Sequence, residues 1–163
     1  MEFKHNFFDQ RFRENWQNYI IQSLLGGFAI YLGLLIIELQ ESPIIIASVG
    51  ASTFIIFVTP ENYSASRRNI LGGHFVCLII GSLIHLIPHT SYSNFAIFLY
   101  ALAVTLSLFI MAITDTEHPP AAGTGLGLVI YGFSMNLFLP LALSIVVLSL
   151  FHHFFKKHLI NLL

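Results

Sequence analysis

Four long apolar runs dominate this chain, and its charged residues fall almost entirely between them. Residues 19–39 carry one acid, Glu38, near the end, and residues 69–87, 95–113 and 137–155 carry no Asp, Glu, Lys or Arg. At 1.5 Å rise per residue, roughly 20 apolar residues cross a bilayer core, so each run predicts a membrane-spanning helix. Two further segments, 43–58 and 119–132, are apolar but short and rich in Gly, Ala, Ser and Thr. As helix they would reach about 21 to 24 Å, less than the roughly 30 Å core. They either cross as short, sheltered helices or enter and leave on one side.

Composition agrees with a membrane class. Hydrophobic residues make up 56% of the 163 residues, charged residues 9%, and the mean hydropathy is +0.79. A soluble domain of this size would carry about a quarter charged residues. Residues 1–18 are polar and mix Lys4, Arg11 and Arg13 with Glu2, Asp9 and Glu14. That stretch does not have the short apolar core of a secretory signal. It reads as a cytoplasmic amphipathic lead-in, with Phe7, Phe8, Phe12 and Trp16 spaced for the interface. Residues 19–155 form the membrane domain and 156–163 a cytoplasmic tail.

Basic residues choose between the two topologies. With both short segments crossing, Lys4, Arg11, Arg13, Arg67, Arg68, Lys156 and Lys157 all fall on one side. With both re-entrant, Arg67 and Arg68 move to the opposite face. The expected fold is therefore an all-α polytopic membrane protein with six transmembrane segments, two of them short, and both termini cytoplasmic. That topology exposes an internal duplication, with halves at about 19–87 and 95–155. Each half reads span, Glu-x-Pro turn, short small-residue segment, Asn, span, through Glu41-Ser42-Pro43 and Asn69 and then Glu117-His118-Pro119 and Asn136. Three crossings per half make it a 3+3 inverted repeat, an arrangement that builds a midplane site from paired broken helices. Two unrelated turns sharing Glu-x-Pro would give the same pattern.

The second turn continues as Glu117-His118-Pro119-Pro120-Ala121-Ala122-Gly123-Thr124-Gly125. Adjacent prolines stop a regular helix, and freed backbone groups in hydrocarbon survive only inside protein or beside a water-filled cavity. Proline favours the first helical turn, so Pro43 and Pro119 are expected to mark helix starts, with the small residues behind them leaving backbone donors accessible. Two such N-termini would hold a small monovalent anion without any buried Lys or Arg.

Three ordered blocks resemble the HPP family of integral membrane proteins, named for its His-Pro-Pro motif. They are Ser48-Val49-Gly50-Ala51-Ser52, Arg68-Asn69-Ile70-Leu71-Gly72-Gly73-His74 and His118-Pro119-Pro120-Ala121. The likeness runs over roughly residues 19–150. The family is usually described with four transmembrane helices, the two short segments escaping hydropathy windows. Some of its plant and cyanobacterial members are associated with nitrite transport, so the resemblance implies nitrite or nitrate as substrate. After the triplet this chain reads Ala121-Ala122-Gly123-Thr124 where Ala-Gly-Ala-Thr is more familiar, which weakens the substrate inference but keeps the small-residue character. Motif and helix-end arguments together mark a substrate-binding set. It comprises Ser48, Gly50, Ala51 and Ser52 in the first short segment, Asn69, Gly73 and His74 at the head of the next span, and His118, Pro119, Pro120, Gly123 and Thr124 in the second.

Each of these has a structural alternative. His118 can cap the adjacent helix or act as a pH-sensitive gate. His74, one turn into a span, must find a polar partner in either case. Ser48, Ser52, Thr53 and Thr124 serve equally as a hydroxyl path or as helix contacts, and Gly123-x-x-x-Gly127 reads first as close packing. Of His152, His153 and His158, helical spacing puts His153 and His158 on different faces, and no acid lies nearby to complete a shell, so no metal or other cofactor is expected. Enzyme motifs are absent, no basic patch suits nucleic acid, and Cys77 stands alone. The expected partners are a small inorganic anion, the lipid bilayer and, since 18.3 kDa shelters broken helices poorly, further copies in a homo-oligomer. A prokaryotic source would put the chain in the plasma (inner) membrane. The competing reading is a non-transporting membrane scaffold or sensor subunit.

Overall fold

A computed structural model describes residues 10–36, 42–91 and 93–163. The described residues form six α-helices: α1 (Gln10–Ile36), α2 (Pro43–Val58), α3 (Arg67–His85), α4 (Asn94–Thr114), α5 (Ala121–Tyr131) and α6 (Met135–Phe155). Phe7, Phe8, Glu38 and Glu41 lie outside the described residues. Four helices, α1, α3, α4 and α6, are long and apolar enough to cross a membrane, and α2 and α5 are the shorter pair.

Helix boundaries follow local chemistry. Ser66, Ser93 and Ser134 each turn a hydroxyl back to an orphan N–H in the first turn of α3, α4 and α6, at Asn69, Ala96 and Leu137. Asp115, in the left-handed region at φ 57°, ends α4, and Gly132 at φ 84° ends α5. Pro43 opens α2, as its fixed φ favours. The second short helix differs from expectation. Residues 118–120 form a tight turn whose carbonyls accept from the Ala121, Ala122 and Gly123 N–H groups, so α5 begins at Ala121 rather than Pro119. A kink at Asn15 separates the first turn of α1 from the part that packs in the bundle.

Successive helices alternate in direction. At one end of the bundle the Gln22 amide reaches the Phe57 carbonyl, Arg68 pairs with Asp115, His152 meets the Pro60 carbonyl, and Asn161 bonds Glu61. At the other end His85 bonds the Val129 carbonyl beside Gly132, and His89 packs on Tyr100. Both short helices therefore run with the long ones rather than across them.

The outer surface is apolar, and a cluster of polar side chains is buried within an otherwise apolar core. Leu24, Leu83, Phe98, Phe109 and Phe154 are exposed around the bundle, whereas Ser48, Ser52, His74, His118 and Thr124 are buried. So large an exposed apolar surface suits a hydrocarbon solvent rather than water. The short helix α5 lies in the middle because both its faces are small. Gly127 abuts Ile45 and Gly123 abuts Ser48 on α2, while Gly125 faces Cys77 and Gly81 on α3. Close approach through small residues is how membrane helices gain contact area where lipid is as apolar as Leu. A Cβ on Gly81 would sit 2.5 Å from the Gly125 carbonyl oxygen, a backbone atom that cannot rotate away, whereas one on Gly27 meets nothing within 4 Å. Gly81→Ala should cost about 1 to 3 kcal/mol of unfolding free energy in detergent, and Gly27→Ala should be neutral or gain about 0.5 to 1 kcal/mol. Equal stability of the two variants would show that the α3–α5 contact is loose.

Candidate functional site

The buried polar side chains of α2, α3 and α5 join in one line. His118 Nδ1 lies 2.7 Å from the Ser64 carbonyl, and its Nε2 lies 2.9 Å from Ser52 Oγ. Ser52 Oγ is 3.2 Å from His74 Nε2, and His74 Nδ1 is 3.0 Å from Thr124 Oγ1. Thr124 Oγ1 is 3.0 Å from Ser48 Oγ, which donates to the Pro120 carbonyl at 2.6 Å. The two imidazoles sit with ring centroids 5.3 Å apart, both fully buried.

Helical geometry explains why these residues meet. Ser48 and Ser52 are four apart and share the face of α2 that α5 covers. Gly73 lets the His118 turn close on α3, since a Cβ there would lie 2.8 Å from the His118 side chain. Gly123 does the same for Ser48. Pro119 and Pro120 hold the turn that points His118 inward and frees the Pro120 carbonyl to accept from Ser48. Ser48 lies ten residues from the end of α2, or roughly 15 Å, so the line runs from the Ser64 loop to about half the depth of the bundle.

Most of the residues marked from sequence converge here: Ser48, Ser52, His74, His118, Pro120 and Thr124 through hydrogen bonds, Gly73, Pro119 and Gly123 through packing or turn shape. Three do not. Gly50 faces Ile30 on α1, Ala51 is exposed, and buried Asn69 donates to the Tyr63 carbonyl, tying down the α2–α3 loop instead. The bare N–H groups expected at the start of α5 are not bare, because the 118–120 turn occupies them. The polarity at this crossing comes from side-chain hydroxyls and imidazoles. The Ser64 carbonyl, an acceptor supplied by a loop, carried no signal in the sequence.

At the rim, Arg68 bridges Asp115 at 3.0 Å and donates to the Thr114 carbonyl, and the Tyr63 phenol donates to the same carboxylate. That hydrogen bond, with the burial and charge at Asp115, holds the Tyr63 phenol above its ordinary pKa. Both partners of the ion pair are well exposed, which limits its energy.

The model of the HPP transmembrane region matches residues 12–160. The chain belongs to the HPP family. It is an integral membrane protein. Two curated proteins of Dictyostelium discoideum, named only as transmembrane proteins, are similar to it. One is 36% identical over 107 residues, covering 63% of this chain and 37% of that protein. The other is 31% identical over 106 residues, covering 59% of this chain and 33% of that protein. The chain thus matches about a third of the length of these curated relatives. No solved structure matches it.

The line and the rim should differ in energetic weight. Thr124→Val keeps the shape but removes the partner of buried His74 Nδ1 and one of the two partners of Ser48 Oγ, so it should cost about 1 to 3 kcal/mol. Arg68→Ala should cost at most about 1 kcal/mol. Detergent unfolding of both variants checks the order, and a larger loss for Arg68→Ala would contradict it.

Proposed function

We propose that this HPP-family protein moves a small inorganic anion across its membrane, with nitrite or nitrate the substrate that the family resemblance implies, and that it is not an enzyme. The observation that carries the reading is a line of buried hydroxyls and imidazoles at the crossing of two short, proline-led helices. Burying that many polar groups in hydrocarbon is costly and is a mark of function in membrane proteins. The anion site is the Ser48–Thr124 crossing, reached by local parting of α2 and α5. The lipid bilayer and further copies of the chain are its remaining partners.

The six-crossing inverted repeat is part of the proposal, and two observations support it. Pro119 follows Pro43 by 76 positions, and Thr124 follows Ser48 by the same 76, yet Ser48 and Thr124 touch. Equivalent residues meet each other only where a two-fold axis passes. Helix pairing has the same symmetry under exchange of the halves: α1–α2 corresponds to α4–α5, α1–α6 to α4–α3, and α3–α5 to α6–α2. Cysteine labels at Glu61 and His158 should then react from one side of the membrane and Ser91 from the other. Glu61 and His158 reacting from opposite sides would contradict it.

One observation favours the scaffold alternative: the polar line is closed, with each imidazole nitrogen and hydroxyl already engaged. Anion flux into proteoliposomes separates the readings. Transport predicts saturable flux that falls at least tenfold in a Ser48→Ala/Thr124→Val double variant. Flux no greater than in protein-free vesicles, across a panel of anions, would support the scaffold.

A further inference from the structure

The line has an odd proton count. Its two ends, the Ser64 and Pro120 carbonyls, can only accept, and six hydrogen bonds connect them through two imidazoles and three hydroxyls. With both rings neutral, five protons are available, one from each group. His118 Nδ1 faces a carbonyl and must hold its ring's proton, so its Nε2 is bare and takes the Ser52 hydrogen. If His74 carries its proton on Nε2, Ser52 accepts it, Thr124 donates to His74 Nδ1, and Thr124 and Ser48 meet with no hydrogen between them. If His74 carries it on Nδ1, the Thr124 and Ser48 bonds are made, but two bare Nε2 atoms compete for one Ser52 hydrogen. Either tautomer leaves one bond of the six unmade.

One added proton completes the line, and two arrangements do so equally. With His118 charged, its Nε2–H donates to Ser52, which donates to His74. With His74 charged, its Nε2–H donates to Ser52, which donates to His118. The forms interconvert when two protons each move one step along two hydrogen bonds, carrying one positive charge from ring to ring. No other bond is made or broken. We propose that His118, Ser52 and His74 form a proton-binding site that takes up a single proton and shares it between the two imidazoles.

Charge repulsion limits the uptake to one. Ser52 could also turn its hydrogen to the Ser48 carbonyl, at 3.0 Å, which a second proton would permit. That second charge would face the first across 5.3 Å of protein interior, a repulsion larger than one hydrogen bond repays. Among the described residues, nothing facing the pair neutralises even the first charge. α2 has no ionisable side chain, the one on α5 is Tyr131 at its far end, α3 adds Cys77, Arg67 and Arg68 at the rim and, at its opposite end, His85 on the Val129 carbonyl, and Met111 of α4 lies beside Gly73. Asp115 is held by Arg68 and Tyr63, Glu117 is exposed, and on α6 His152 bonds the Pro60 carbonyl. In the transport reading above, on which this step rests, the uncompensated charge draws a monovalent anion to the adjacent Thr124–Ser48 hydroxyls as α2 and α5 part and free their hydrogens, so that proton and anion travel as a neutral pair.

Histidine 15N NMR of the full chain in lipid nanodiscs tests the site without requiring transport, with His74→Gln and His118→Gln assigning the signals. As pH falls, the His74 and His118 nitrogens should shift together in one step that takes up one proton in total. Ser52→Ala, with folding checked by circular dichroism, should abolish the common step. Independent titration in the unaltered protein, no uptake at any pH where it stays folded, or an unchanged common step in Ser52→Ala would each overturn the proposal. Flux in proteoliposomes carrying an internal pH dye, with nitrate beside nitrite and protein-free vesicles for unaided nitrous acid, keeps the two claims apart. Shared titration without anion flux keeps the proton site and removes the transport reading. Anion flux without shared titration does the reverse.

Discussion

A polar group buried in a bilayer must find its partner within the protein, because the lipid has none to offer. The contact between Ser48 on α2 and Thr124 on α5 is where this fold meets that requirement. Neither helix could carry its hydroxyls and its proline-opened start into hydrocarbon alone. Packed together, and roofed by His74 from α3 and His118 from the 115–120 segment, they become one another's hydrogen-bond partners. The long apolar helices α1, α4 and α6 then shelter that arrangement, turning Leu, Ile and Phe outward.

The small residues are the means to this end. Gly81, Gly123, Gly125 and Gly127 bring α5 within backbone distance of α2 and α3, and Gly73 admits the His118 turn. Larger residues there would push the helices apart by more than a hydrogen bond spans. The tightness that completes the polar line also closes it. Access to the crossing therefore requires α2 and α5 to separate, and a change in the proton content of the line is one way to alter what holds them.

Much of this was legible in the residues. Run lengths identified the four long helices, Pro43 located the start of α2, and the order of small and polar residues singled out both short segments. His118 and His74 were recognisable because a polar side chain amid apolar neighbours must be partnered. What failed depended on tertiary contact. Nothing local says that the 118–120 turn will occupy the first donors of α5, that Asn69 will reach back to Tyr63, or that Gly50 will face α1. Residues 159–162 fold back to α1 and α2, where the Leu162 N–H meets the Val58 carbonyl and Tyr19 donates to the Leu162 carbonyl. Lys156, Lys157 and His158, just ahead of them, pointed only to a charged tail.

The central claim is that the α2–α5 crossing is both the structural keystone and the place where transport occurs. It is tested by cysteines at Ser48 and Thr124 in a Cys77→Ser background, oxidised and then assayed for anion flux in proteoliposomes. Side chains whose oxygens lie 3.0 Å apart should cross-link within one chain. The account predicts that the cross-link forms, that flux stops, and that reductant restores it. A cross-link that forms and leaves flux unchanged would contradict it.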